Sequence, residues 1–140
     1  MRVELKRVDD AFQIEAIAGN GKTIQFDGSL KIGGHDRGVS PMQSLLMAMG
    51  SCSAIDVVMI LQKQKQEIKD FQISIDGERE ADKEPSLWKT IHAHFKLQGK
   101  IDKDKALRAV ELSMNKYCSV AATLRAAGAE ITFDVSVTDR

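Results

Sequence analysis

Cysteine is scarce in this chain: its 140 residues include two, Cys52 and Cys118. Two cysteines are too few for a framework of several disulfides or for a zinc site built from four thiolates. Cytosolic thiols stay reduced unless they are transiently oxidised or catalytic. Each of these two residues is therefore either a small packed core residue or a reactive group.

Net charge is also absent, because twenty Lys and Arg residues balance twenty Asp and Glu residues. A neutral chain lacks the basic surface that binds phosphate backbones, so we expect no nucleic-acid partner. The first ten residues, MRVELKRVDD, contain no apolar leader, which predicts a cytoplasmic protein. With 43% hydrophobic and 29% charged residues, the composition is typical of one globular domain, predicted over residues 1–140.

One segment, residues 44–60 (SLLMAMGSCSAIDVVMI), is strongly apolar. It is shorter than the roughly 20 apolar residues that span a bilayer, and it contains Asp56, so we expect no membrane partner. We predict instead a helix that is buried on nearly all sides. A single chain of this size has few elements to cover such a helix, which predicts an intimate homodimer.

The spacing of apolar residues predicts the order of the elements, because period two indicates strands and three-to-four spacing indicates helices. The predicted order is three strands, a long helix, two strands, two helices and a final strand. Ser40 and Pro41 are a suitable N-cap and first position for the long helix, which is predicted to run to about Gln66. Strands on both sides of a buried helix predict an α+β fold with an antiparallel sheet.

Cys52 is predicted to lie in the middle of the long helix, among small residues. Gly50, Ser51 and Ser53 leave space above its sulfur for a ligand. Asp56 follows one turn later and faces the same side of the helix. A negative charge there raises the pKa of a thiol, so Asp56 does not activate Cys52.

Cys118 is predicted to lie at a helix junction, at or next to the N-cap of a short helix that Ser119 can cap. A helix N-terminus lowers the pKa of a thiol, and the nearby Lys116 would add to that effect. Local physics alone therefore predicts that Cys118 is the more acidic of the two thiols.

Two arginines are candidates to assist a thiolate, since a cationic donor beside sulfur favours the thiolate and binds peroxide oxygens. Arg7 continues the alternation of Val3 and Leu5, so it is predicted to point toward the buried face. Arg37 lies in the loop that leads into the long helix. Either arginine is alternatively an exposed surface residue.

His92 and His94 share one face of a predicted strand, a spacing that suits two metal ligands. The same face carries Thr90 and Lys96, which favours exposure to solvent. We therefore expect no metal site and no cofactor. A metal-binding protein that uses both histidines and a cysteine is the third hypothesis, ranked below the peroxidase and the binding module described below.

Two motifs resemble those of the OsmC/Ohr family, which comprises osmotically inducible protein C and the organic hydroperoxide resistance proteins. The first is residues 40–52 (SPMQSLLMAMGSC), followed by Asp56, Val57 and Leu61. The second is residues 109–120 (AVELSMNKYCSV), which is similar to the S-x-x-K-Y-C-x-V signature of the OsmC-like redox protein branch. The two motifs occur in the family's order.

The resemblance implies an OsmC-like fold, in which antiparallel sheets wrap around long central helices in an intertwined homodimer. It also implies a thiol peroxidase: Cys52 attacks a small hydroperoxide and becomes a sulfenic acid, and Cys118 condenses with it to a disulfide. A cellular dithiol reductant then reduces that disulfide by exchange. The family's assisting arginine comes from the N-terminal hairpin, where Arg7 matches by position.

The first motif departs from the family's peroxidases, which carry a glutamate directly after the proline. This chain has Met42 and then Gln43, so no carboxylate is available there to orient an arginine. Two functions therefore remain open. The first is an organic hydroperoxide reductase, and the alternative is an OsmC-fold binding module for an apolar ligand with little or no peroxidase activity.

Overall fold

The computed structural model describes residues 1–139, within which the chain forms six strands and three α-helices. The strands are β1 (Glu4–Arg7), β2 (Ile14–Ile17), β3 (Thr23–Phe26), β4 (Glu67–Arg79), β5 (Trp88–Lys100) and β6 (Glu130–Thr138). The α-helices are α1 (Pro41–Lys63), α2 (Lys103–Leu112) and α3 (Ser119–Ala126). A 3-10 turn spans Leu30–Ile32, and a π-helical turn, Ser113–Tyr117, joins α2 to α3. This order confirms the predicted order and the α+β class.

The chain forms two compact units, the first spanning Met1–Leu45 and the second beginning at Leu46. In the first unit, β1, β2 and β3 form a three-stranded antiparallel sheet, as the alternation predicts. The Asp9 carboxylate shapes the turn between β1 and β2 by accepting the backbone amides of Ala11 and Gln13, each at 3.0 Å.

In the second unit, β4, β5 and β6 form a three-stranded sheet with β5 in the centre. β4 and β5 pair antiparallel, but β5 and β6 pair parallel, which corrects the prediction of an antiparallel arrangement throughout. The cause is the connection between them, because α2 and α3 return the chain to the starting end of β5 before β6 begins.

The two faces of this sheet differ sharply, because successive side chains of a strand point to opposite sides. On β5, Ile91, Ala93, Phe95 and Leu97 point inward and are at most 2% exposed. They join a core that includes residues of α1, α2 and α3. The outward residues of the same strand are polar, and His92 and His94 are among them.

α1 begins as predicted, because the Ser40 hydroxyl accepts the backbone amide of Gln43 at 3.3 Å. By length and composition it could cross a membrane, with a mean hydropathy of 1.9, although buried core helices meet the same criterion. One chain does not complete the predicted burial on nearly all sides. Met47, Ile55 and Met59, at spacings of eight and four residues, remain 49–62% exposed.

Candidate functional site

The second unit brings the two predicted thiols together. Cys52 lies partly buried on α1, Cys118 is 2% exposed at the start of α3, and both are free thiols. The Cys118 thiol donates to the carbonyl of Met49, one turn before Cys52 on α1, with an Sγ···O distance of 3.7 Å. The Cys52 side chain lies close enough to Cys118 to affect its ionisation. A pair separated by most of the second unit's sequence thus forms one site.

Cys118 itself is the N-cap of α3. Its Sγ accepts the backbone amide of Ala121 at 3.4 Å, so the cap is the sulfur rather than the Ser119 hydroxyl that the sequence suggests. Ser119 is the first residue of the helix. The amide that a cap satisfies carries a partial positive charge, and this contact favours a negative sulfur.

The predicted low pKa of Cys118 is nevertheless wrong. Its pKa is raised from the ordinary value of 9.0 to about 11, and burial is the largest cause. The hydrogen bond and the charge of Cys52 raise the pKa further, whereas the amides of Ala121 and Val120 lower it. The predicted contribution of Lys116 is not observed, because its ammonium lies over the Tyr117 ring, 5.3 Å from the ring centre. Desolvation therefore outweighs the helix terminus.

Two buried serines form a hydrogen-bonded group near the thiols in sequence, and one of them also holds the backbone of Cys118. The Ser113 hydroxyl is 2.8 Å from the Ser53 hydroxyl and 2.9 Å from Oδ2 of Asp56, and both serines are fully buried. Ser113 also accepts the backbone amide of Cys118 at its carbonyl, at 2.7 Å. The sequence analysis missed this role, although Ser113 is the serine with which the S-x-x-K-Y-C-x-V signature begins.

The small residues around Cys52 have a packing role that the sequence analysis did not assign. A Cβ atom at Gly50 would lie 2.9 Å from Cδ1 of Ile75, so glycine allows α1 to approach β4 closely.

The π-helical turn before Cys118 is held by Arg125, which donates to the carbonyl of Met114 and lies 3.5 Å from Oδ1 of Asn115. This arginine carries no signal in the sequence.

The predicted arginines lie in the first unit. Arg7 is exposed on β1 and donates to carbonyls of its own hairpin turn, those of Ala11 at 2.8 Å and of Asp10. Its acceptors are therefore local rather than on a buried face. Arg37 is exposed too, and its backbone amide donates to the buried Asp27 at 3.0 Å. Assistance to Cys52 by either arginine stays a prediction.

A hollow of about 420 Å³ opens in the second unit, along the part of α1 that follows Cys52. Its walls are Asp56, Met59, Ile60, Lys63 and Tyr117. It begins one helical turn after Cys52 and adjoins the residue before Cys118. Its long apolar side chains suit a hydrocarbon group, and Lys63 offers a cation at one end.

The histidines lie away from both cysteines, on the outer face of the sheet. Nε2 of His92 and Nδ1 of His94 are each 2.7 Å from the same oxygen, Oδ2 of Asp134 on β6. The predicted combination of two histidines with a cysteine is therefore wrong, and a carboxylate takes the third place.

Comparison with known proteins relates this architecture to others. Residues 34–134 match the model of a family described as OsmC-like protein. Protein YhfA of Escherichia coli (strain K12) is 44% identical over 111 residues, which are 79% of this chain and 79% of that protein. A solved protein of Aquifex aeolicus VF5 is 33% identical with a TM-score of 0.79, covering 97% of this chain and 96% of its own. An organic hydroperoxide resistance protein OsmC from Legionella pneumophila shares the fold, with 15% identity, a TM-score of 0.71 and 97% coverage of both chains.

Proposed function

This chain belongs to the OsmC-like protein family, as its two cysteine motifs predict, and we propose that it is a cysteine-dependent peroxidase that reduces organic hydroperoxides. One observation carries the proposal: Cys52 and Cys118, from two different helices, meet as free thiols in one site. The similarity to proteins named for organic hydroperoxide resistance supports a role in redox stress.

The proposed reaction has two steps in the protein and one with a reductant. The Cys52 thiolate attacks the outer oxygen of ROOH, the O–O bond breaks, and the products are a sulfenic acid and, after protonation, ROH. Cys118 then displaces hydroxide from that sulfur, its own proton completes a water molecule, and a disulfide forms. A cellular dithiol returns two electrons and two protons by thiol–disulfide exchange and becomes a disulfide itself.

The electrostatics favour this division of roles. With a pKa of about 11, Cys118 is a neutral thiol at physiological pH, and a negative charge on Cys52 opposes its ionisation. Cys52 has the greater access to solvent, so it is the thiol of the pair that a hydroperoxide reaches first. Cys118 keeps its proton until the sulfenic acid has formed, which suits a resolving thiol.

The test is single-turnover consumption of cumene hydroperoxide by the reduced protein. We expect the parent to consume about one equivalent and to become two mass units lighter as its thiols join. Cys52→Ser should lower the rate roughly a thousandfold or more, because the nucleophile is lost. Cys118→Ser should still react once but stop at the sulfenic acid, which a dimedone label traps.

Ser51→Ala is the matched control, since Ser51 is an exposed neighbour whose hydroxyl bonds only the Ala48 carbonyl of its own helix. Its rate should equal that of the parent. Undiminished peroxide consumption by Cys52→Ser would show that the assignment of the attacking thiol is wrong.

We also propose that the working form is a homodimer joined along α1. Three apolar residues of this helix, Met47, Ile55 and Met59, remain 49–62% exposed in one chain and would be covered by a second copy. Light scattering should give twice the mass of the chain for the parent. Ile55→Glu should give the mass of one chain, because a buried charge opposes association. Ile55→Glu that remains dimeric would remove α1 from the interface.

The second candidate is a binding module for an apolar ligand, and the hollow beside Tyr117 is the observation that favours it. This function predicts slow alkylation of both cysteines at neutral pH and no peroxide consumption, with an affinity for fatty acids or similar compounds. Rapid iodoacetamide labelling of Cys52 at pH 7 would contradict it, since only a thiolate reacts fast.

A further inference from the structure

We propose that His92, His94 and Asp134 bind a divalent transition-metal ion, with zinc(II) as the ion of choice, on the outer face of the β4–β5–β6 sheet. The site lies on the opposite side of the sheet from the thiols and is independent of the proposed peroxidase function. It uses two imidazoles and one carboxylate, the donor types that suit zinc, copper and nickel.

The register of the sheet creates the site. Residues two apart on β5 share a face, so both imidazoles point outward, with their ring centres 4.4 Å apart. The parallel pairing sets His94 opposite Asp134 and His92 opposite Thr132 on β6. The candidate ligand atoms of the two histidines and Asp134 all lie within 4.8 Å of one another.

The distances between the candidate ligand atoms are slightly shorter than those around a bound zinc ion, so the side chains must move a little to admit one. Tetrahedral zinc with bonds of about 2.0–2.1 Å holds its ligand atoms roughly 3.3 Å apart. The two histidine nitrogens are now 2.7 Å from Oδ2 of Asp134, so each pair must separate by about half an ångström. The three side chains are 34–56% exposed, which leaves them room to do so by small side-chain rotations.

The outer hydrogen bonds are those that orient metal-binding histidines. Each imidazole turns one nitrogen toward Asp134 and engages a different partner with the other. The second nitrogen of His92, Nδ1, is 2.5 Å from the Thr132 hydroxyl. The second nitrogen of His94, Nε2, is 3.2 Å from a carboxylate oxygen of Asp76. Such partners fix the ring orientation and the tautomer, and the carboxylate raises the basicity of the metal-bound nitrogen.

The charge balance also suits a dication. Asp134 supplies a carboxylate directly, and the carboxylate of Asp76 lies 3.2 Å from the second nitrogen of His94. Three protein ligands at an exposed face leave the fourth zinc position to water.

The experiment is calorimetric titration of the full chain, kept reduced with a phosphine, with zinc chloride at pH 7.5. We expect one zinc ion per chain at this site. Because both cysteines also bind zinc, the measurement is repeated with the Cys52→Ser/Cys118→Ser double variant, which should keep the site. His94→Gln and Asp134→Asn, each in the double-variant background, should weaken binding at least tenfold.

His35→Gln is the matched control, because His35 is the third histidine of the chain and lies on a loop of the first unit beside Asp9. It should bind zinc as the double variant does. Zinc binding that disappears with the cysteines, or that persists in His94→Gln, would overturn the proposal.

A second measurement separates metal ligation from general charge attraction. Thr132→Val keeps every charge and every proposed ligand but removes the hydroxyl partner of His92. Loss of such a partner typically costs 10–100-fold in metal affinity, so we expect a loss in that range. An unchanged affinity would show that the cluster does not hold zinc through an oriented His92.

Discussion

The β4–β5–β6 sheet separates the cysteine pair on its inner side from the cluster of His92, His94 and Asp134 on its outer side. The two groups differ in their exposure to solvent. On the inner side, Cys118 is 2% exposed and burial raises its pKa to about 11. On the outer side, the side chains of His92 and His94 are 34% and 37% exposed and lie beside carboxylates. Burial thus raises the pKa of a thiol, whereas exposure lets the imidazoles keep carboxylate partners.

The strongest test of this contrast compares neighbours on β5 that point to opposite faces. Phe95→Ala should lower the free energy of unfolding by about 3–5 kcal/mol, because Phe95 is fully buried in the core and its loss leaves a cavity. Lys96→Ala, one residue later and exposed, should change it by less than about 0.5 kcal/mol. Urea unfolding followed by circular dichroism measures both, and similar values for the two would remove the difference between the faces.

A second test concerns the polar groups inside the core. Ser113→Ala should cost about 1–3 kcal/mol of unfolding free energy, because it leaves Ser53 and Asp56 without a buried partner. Ser51→Ala removes a hydroxyl from the exposed side of α1, the helix that carries Ser53 and Asp56. It should cost about 0.5 kcal/mol or less of unfolding free energy. Urea midpoints that fall equally in both variants would mean that the buried hydroxyl network adds nothing.

A third test addresses the effect of Cys52 on Cys118. Because a negative charge on Cys52 raises the pKa of Cys118, Cys118 should alkylate several-fold faster in Cys52→Ala than in Cys52→Asp. In both variants the rate should keep rising up to pH 10, since burial holds the pKa high. Iodoacetamide labelling followed by mass spectrometry gives the rates, and equal rates would contradict the electrostatic coupling.

The smallest expected effect lies on the outer face. The hydrogen bond with His92 is the first cause that holds the pKa of Asp134 below its ordinary 3.8, so the folded state favours the carboxylate. A depressed carboxyl pKa stabilises the fold above the unfolded value, and this contribution is lost as the pH falls through the folded pKa. Because Asp134 is mostly exposed, the contribution should be about a few tenths of a kcal/mol.

Carboxyl chemical shifts measured by NMR from pH 7 to pH 2 check this prediction directly. The titration midpoint of Asp134 should lie below 3.8 in the parent and rise in His92→Gln. A midpoint that does not move in His92→Gln would show that the imidazole has no influence on the carboxylate.

The spacing of apolar residues, together with the helix-capping and turn residues, predicts most of this fold. The strands and helices follow the predicted order, and Ser40 caps α1 as expected. The direction of β6 was not predictable from alternation, because a strand has the same pattern in parallel and antiparallel pairs. The π-helical turn that begins at Ser113 and separates α2 from α3 was not predictable from apolar spacing either.

The site is predictable in part for similar reasons. Both cysteines are apparent from the sequence because their motifs are local. The pKa of Cys118 depends on burial by α1, which neighbouring residues do not encode. The partnership of His94 with Asp134 depends on the β5–β6 register, a contact between residues 40 positions apart. Long-range contacts of this kind are set by tertiary packing rather than by local pattern.

The parallel pairing of β5 with β6 has a consequence for biosynthesis. Residues 101–129 must emerge from the ribosome before β6 follows, which at roughly 5–20 residues per second takes about 1.5–6 s. During that interval one edge of the 13-residue β5 has no partner strand. Unpaired strand edges promote aggregation in nascent chains, so the second sheet exposes one more pairing edge before β6 is made than after it.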